Sequence, residues 1–228
     1  MSEAAPFGPP VDATPAARPG PVTLDGRFGS VTRLDPVRHG TDLWEAVRDH
    51  DRLWDYMSYG PFADAQCFAA WLAERQALQD PYYYAILEPS GRAVGLSTFV
   101  NIQPAMRSVE VAHILYTPLL QRTPLATEAQ YLLARYAFET LRYRRYEWKC
   151  NALNRPSYRA AQRFGFTFEG VFRQHLIVKG RSRDTAWFSI LDTEWPARKA
   201  AFEHWLAPEN FDAAGKQRVS LAALNGVA

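Results

Sequence analysis

The chain has 228 residues, 47% hydrophobic and 14% aromatic, enough to bury one sizeable core. Its 26 basic and 24 acidic residues leave a formal charge of +2, too near neutral for bulk nucleic-acid binding, which needs a strong basic excess. Five scattered histidines lack metal-ligand spacing, the cysteines Cys67 and Cys150 read as reduced core thiols, and no run approaches about 18 apolar residues. The expectation is a cytoplasmic protein with no resident metal, no secretion signal and no membrane span.

Along the chain, residues 1–21 carry six of the sixteen prolines among Ala and Gly and read as a flexible arm. "VTLDGRFGSVTRLDP" reads as a strand pair or one bent strand. "RHGTDLWEAVRD" and "DAQCFAAWLAERQAL" follow as helices, the second with Phe68, Trp71 and Leu72 on its apolar stripe. "YYYAILEPSGRAVGLSTFVNI" is a hairpin turning at Glu88–Gly91, and "VEVAHILY" is the next strand. Residues 126–141 are spaced as a helix, "YEWKC" as a strand, and "SYRAAQRFGF" as a short helix stopped by Gly165. A last hairpin turns across "KGRSRD", and "PARKAAFEHWL" is a helix with Pro196 in its first turn. The order predicts an α+β fold: a mixed, mostly antiparallel sheet of about seven strands with one strand–helix–strand crossover. The expected layout is a domain over 22–193, a packed helix over 194–210, and a weakly ordered tail over 211–228.

The turn inside that crossover, "LQRTPLAT", places Thr123 as an N-cap and Pro124 at the first helical position. A helix start leaves backbone N–H groups unpaired and carries about +0.5 charge, which suits an anion. Arg122 adds a cation beside it; alternatively the stretch is only a proline-stiffened turn. Downstream, seven basic residues fall between Arg142 and Arg163, with Glu147 the only acid among them.

These segments together resemble the GNAT N-acetyltransferases, in particular the RimJ/RimL-like branch. "QRTPLA" is similar to the family's Gln/Arg-x-x-Gly-x-Gly/Ala turn at Gln121 and Ala126, with Pro124 where the first glycine is usual. "NRPSYRAAQRFGFTFEG" resembles the branch's second signature at Asn154, Ser157, Gly165, Phe166, Glu169 and Gly170. The likeness covers about residues 22–193 and implies the GNAT fold and acetyl-CoA as acetyl donor. It implies that the pyrophosphate lies on the turn formed by Gln121, Arg122, Thr123, Pro124, Leu125, Ala126 and Thr127. The pantetheine arm would pair with the strand edge near Ile114 and Leu115, with Asn154 and Ser157 at hand. One or two of Arg122, Arg155 and Arg159 would meet the 3′-phosphate. Proline for glycine removes one N–H from this turn.

Acetyl transfer to an amine needs a base, a donor for the oxyanion and stabilisation of the leaving thiolate. Glu110 is the first base candidate, because a carboxylate in an otherwise apolar strand is costly unless used or paired. It lies eleven residues before Gln121, much like the glutamate base of some family members. Strand alternation would place Glu110, Ala112, Ile114 and Tyr116 on one face and His113 on the other. Glu169 is the second candidate, through the RimL-like signature. Ser157 is a weaker catalytic candidate, because Ala160 and Ala161 stand where many members carry an acid tyrosine. The implied partners are acetyl-CoA and a primary amine: a protein N-terminus, or a small amine such as an antibiotic or polyamine. A homodimer is the assembly that the family suggests. The reading from a different class is a non-catalytic CoA-binding or interaction module.

Overall fold

The structure is a computed structural model that describes residues 8–227. Its strands are β1 (Thr23–Asp25), β2 (Ser30–Arg33), β3 (Tyr82–Leu87), β4 (Ala93–Gln103), β5 (Ser108–Tyr116), β6 (Arg145–Asn151), β7 (Thr167–Val178) and β8 (Arg181–Leu191). The helices are α1 (Pro36–Val47), α2 (Ala65–Ala77), α3 (Pro124–Arg135), α4 (Arg155–Arg163), α5 (Trp195–Leu206) and α6 (Leu221–Leu224). The strands form one sheet in the order β1-β2-β3-β4-β5-β6-β8-β7. Only β5 and β6 run parallel, joined by the α3 crossover. The sheet has eight strands rather than about seven, because the first strand segment is a hairpin of two short strands.

Local chemistry sets the helix starts. Asp35 accepts from the Val37 and Arg38 N–H groups, Asp64 from Cys67, Thr123 from Ala126 and Asn154 from Ser157. Pro36, Pro124, Pro156 and Pro196 fall in first turns, where a missing N–H costs nothing. Gly165 ends α4 at φ +86°, a left-handed conformation that glycine adopts without strain.

Two apolar layers cover the central strands. One, against α1 and α2, takes Tyr83, Ala85 and Leu96 with Trp54, Phe68 and Trp71. The other, against α3, α4 and α5, takes Tyr82, Tyr84, Phe99 and Tyr146 with Leu132, Phe164 and Phe202. All six residues of β3 are consequently buried, so its sequence reads as a continuous apolar run.

The two chain ends differ from the expectation of loose segments. Residues 1–7 lie outside the described part, but Ala16 and Ala17 donate backbone hydrogen bonds to Pro104 and Leu141, and Ala16 is buried. Beyond α5 the chain turns back, bridges Phe211 to Gln217 and buries Leu221 completely. Too few apolar residues mark this tail for its packing to be read from periodicity; its order comes from the wall it lies on. Cys67 is exposed rather than a core thiol, while Cys150 is buried; both are free.

Candidate active site

The parallel pair β5–β6 holds register for only four residues, from Ser108↔Arg145 to Val111↔Trp148. Beyond Val111 the strands part, while β5 stays paired to β4 through Ala112, Leu115 and Tyr116. A cleft opens between them, with the backbone edge of residues 112–116 on one wall and Lys149, Cys150 and Asn151 on the other.

His113 sits at φ +47°, and between the pairs Leu96↔Leu115 and Thr98↔Ala112 one residue of β4, Ser97, faces two of β5, His113 and Ile114. This bulge breaks the alternation. Val109 and Val111 pack towards α3, yet Leu115 packs towards α1 and α2. The single-face expectation is therefore corrected: Ile114 and Tyr116 join the α3 layer, away from Glu110. His113 instead stacks on Tyr59 and Tyr83, with its Nδ1 3.1 Å from the Tyr59 hydroxyl. Burial pulls its pKa down to about 4, so the ring is neutral at pH 7.

After β5 the turn is tied by its own side chains. The Gln121 amide donates to the Tyr116 carbonyl at 2.8 Å. Thr123 Oγ1 donates to the Leu120 carbonyl at 2.7 Å and accepts from the Ala126 N–H at 3.2 Å. Arg122 takes the left-handed conformation, φ +62°, that a glycine would take more easily. Pro124 occupies the first helical position, where its missing N–H is one of the donors a helix leaves unpaired. The Arg122 and Leu125 N–H groups make no hydrogen bond with the described protein and stand at the positive end of α3. Leu125 and Ala126 side chains are buried, and Thr127 Oγ1 accepts from Arg163 Nη1 at 3.0 Å. Arg163 also lies over Trp205 and Phe164, joining α4, α5 and the start of α3.

Across the sheet runs a row of alternating charge. Asn101 Nδ2 donates to Glu110 Oε2 at 2.6 Å, and Lys149 Nζ lies 2.9 Å from the same oxygen. Lys149 also meets Glu147 at 3.0 Å, and Glu147 meets Arg145 at 2.7 Å. Arg145 then forks onto both oxygens of Glu169, at 2.7 and 2.6 Å. The Ser189 hydroxyl also donates to Glu169 Oε1, at 2.6 Å. The register Glu110↔Glu147↔Ser189 makes this row, because paired residues on adjacent strands share a face.

The two glutamate candidates thus have opposite surroundings. Glu110 is 5% exposed and lines the cleft, and its Oε1 makes no hydrogen bond with the described protein. Burial raises its pKa above the usual carboxylate range, with Lys149 and Asn101 opposing. Glu169 does not line the cleft, and both its oxygens are taken. Arg145 holds its pKa below the usual range. Ser157 lines the cleft, but its hydroxyl accepts from Trp148 Nε1 at 3.1 Å and its N–H is capped by Asn154 at 3.2 Å. Arg122 and Arg159 are exposed on the cleft rim, whereas Arg155 is exposed outside it.

Sequence reasoning did not single out Asn101, Arg183 or Trp187, and it counted Lys149 and Arg163 only within the basic run from Arg142 to Arg163. For Arg183 and Trp187 a signal existed. Arg183, Thr185, Trp187 and Ser189 alternate with Asp184, Ala186, Phe188 and Ile190, which places four polar or aromatic residues on the cleft-side face of β8. Nothing local marks Asn101, which sits at φ +49° in an irregular stretch of β4.

A short parallel pair that splays beside a helix start is the geometry of one acetyltransferase class. The model of the GNAT acetyltransferase domain matches residues 33–167, and the chain belongs to that family. A GCN5-related N-acetyltransferase from Brucella melitensis superposes with a TM-score of 0.91, at 44% identity over 95% of this chain and 99% of that one. A GNAT-family structure from Chromobacterium violaceum gives 0.80 at 40% identity, over 86% and 100%. The "Putative ribosomal N-acetyltransferase YdaF" of Bacillus subtilis is 28% identical over 109 residues, which span 48% of this chain and 59% of that protein. The expected GNAT fold and family are therefore borne out. Among the described residues no helix is long and apolar enough to cross a membrane.

Proposed function

We propose that this protein transfers acetyl from acetyl-CoA to a primary amine, with Glu110 as the base. The observation that carries the reading is the splay of β5 from β6, with free N–H groups at one end and a buried, half-free carboxylate at its root. The donor fits what is present. The unpaired edge of residues 112–116 offers strand-like pairing to the pantetheine amides. The Arg122 and Leu125 N–H groups and the Arg122 side chain face the place for the pyrophosphate. Bound there, acetyl-CoA supplies an acetyl group already activated as a thioester.

The chain's own residues do the rest. Glu110 Oε1 takes a proton from the incoming ammonium, directly or through water, so that the free amine can attack. Asn101 and Lys149 fix the other oxygen, which keeps Oε1 oriented. Lys149 lies 3.7 Å from the centre of the Trp187 ring, a position that holds it in place. Ser157 and Cys150 line the wall where the thiol would leave. A protein N-terminal α-amine is the acceptor suggested by the RimJ/RimL resemblance and by the printed name of the Bacillus relative.

A thermal-shift titration with acetyl-CoA, CoA and ATP tests the donor. Ligand at about 100 times its Kd should stabilise by about 2.7 kcal/mol. Stabilisation by the two CoA species and not by ATP is expected; no stabilisation by acetyl-CoA would sink the proposal. Thiol release with a panel of amines then tests transfer. Arg122→Ala should weaken CoA more than dephospho-CoA if this arginine meets the 3′-phosphate, and both equally if it meets the pyrophosphate.

A further inference from the structure

The wall of the cleft opposite β5 carries donors that transfer itself does not use. Arg183 and Trp187 stand on the same face of β8 and both line the cleft. Arg183 Nε and Trp187 Nε1 are buried and make no hydrogen bond. Glu110 and Glu147 also line the cleft, but Lys149 holds an oxygen of each and neither is in ion-pair contact with Arg183. Asp184 projects from the other face of the strand and accepts the Gln174 N–H at 2.7 Å. Arg183 is therefore a half-buried guanidinium with no ion-pair partner among the described residues, placed near enough to Glu110 and Cys150 to interact with both. A buried guanidinium N–H and a buried indole N–H without acceptors are costly unless something supplies the acceptor.

The β7–β8 hairpin is held so that this wall keeps its position. Lys179, at its tip, donates to the Trp54 and Gly60 carbonyls at 2.9 and 2.7 Å. The hairpin tip is thus tied to the segment between α1 and α2.

We propose that Arg183 and Trp187 Nε1 form an anion subsite, and that the acceptor is an amine that also carries a carboxylate. The inference rests on the acetyltransferase reading of the cleft. A planar guanidinium pairs well with a carboxylate, one uncompensated positive charge suits a monoanion, and the Trp187 N–H adds a neutral donor on the same face. A dianionic phosphate would leave surplus negative charge beside Glu110 and Glu147. A polyamine or an aminoglycoside would bring more cations to a wall already positive at Arg183, with no anion to satisfy it.

The test pairs acids with their neutral isosteres. Free amino acids and dipeptides are each compared with their C-terminal amides, and Ser-Glu-amide with Ser-Gln-amide. In at least one pair the acid should be preferred by about tenfold or more in kcat/KM, the scale of a charge-assisted hydrogen bond. Arg183→Gln should abolish that preference through acceptor KM and leave acetyl-CoA Kd unchanged. Arg183→Lys, which keeps the charge, should restore part of it. Calorimetry of the N-acetylated acids and amides on the CoA-loaded protein gives a readout without turnover. Arg183-dependent binding of the acids with no turnover on any amine would support the subsite and defeat the acetyltransferase reading instead. Equal treatment of acid and amide, or failure of both to bind, overturns the subsite. So does an Arg183→Gln variant that loses acetyl-CoA rather than acceptor.

Discussion

Glu110 and Glu169 stand at opposite ends of one row of charges, and their surroundings treat them oppositely. At the cleft end, burial outweighs Lys149 and raises the Glu110 pKa. At the outer end, Arg145 outweighs burial and lowers that of Glu169. Both residues are candidates by resemblance to the same family, so position in the sequence does not separate a proposed base from a strut. What separates them is whether an oxygen is left over, and whether the proton it would take can reach it.

The largest test of this contrast is Glu110→Gln. It should cut kcat/KM by roughly 10²–10⁴-fold and leave the Kd for acetyl-CoA unchanged. A loss under tenfold would take the base role away from Glu110. Lys149→Met comes next. With Glu110 as the proposed base, its ionised form would be the active one, so activity should fall as pH drops through a pKa that burial raises. Removing Lys149 removes the charge that opposes burial and should move this acid limb to higher pH. A limb that stays in place would show that another group controls it.

Thr123→Ala sharpens the other wall. The cap it removes is worth about 1 kcal/mol, readable as a lower urea midpoint, and acetyl-CoA should bind more weakly through the loosened turn. Unchanged donor binding would separate the turn from the cofactor. Glu169→Gln should do least, with kcat unchanged and a stability loss of at most about 1 kcal/mol for so exposed a pair. The sign of its pH dependence is set by its lowered pKa. The pair stabilises above the ordinary carboxylate pKa, and this is lost as pH falls through the depressed one. A hundredfold loss of kcat in this variant would invert the comparison.

Much of the wall at the start of α3 and α4 was legible because it is local. Thr123 caps α3 through the N–H of Ala126 three residues on, Pro124 sits where a proline fits, and Asn154 and Gly165 bracket α4 by their own conformational preferences. The strand order around the crossover followed from the same short-range signals. The wall carried by β5, β6 and β8 was not legible to the same degree. The pairing of Lys149 with Glu110 depends on two strands that meet only through the crossover, and the bulge at His113 reverses the faces that simple alternation assigns. The C-terminal tail, sparse in apolar residues, packs because α5 offers it a surface.

By itself, then, the sequence determined the elements, their order, the family and the helix start that suits a phosphate, since these depend on neighbours a few positions apart. Only the tertiary structure decided which carboxylate keeps a free oxygen, which arginine is left without a partner and which way His113 turns. Those outcomes depend on burial and on charges from distant strands, and burial is a property of the packed sheet rather than of any one segment.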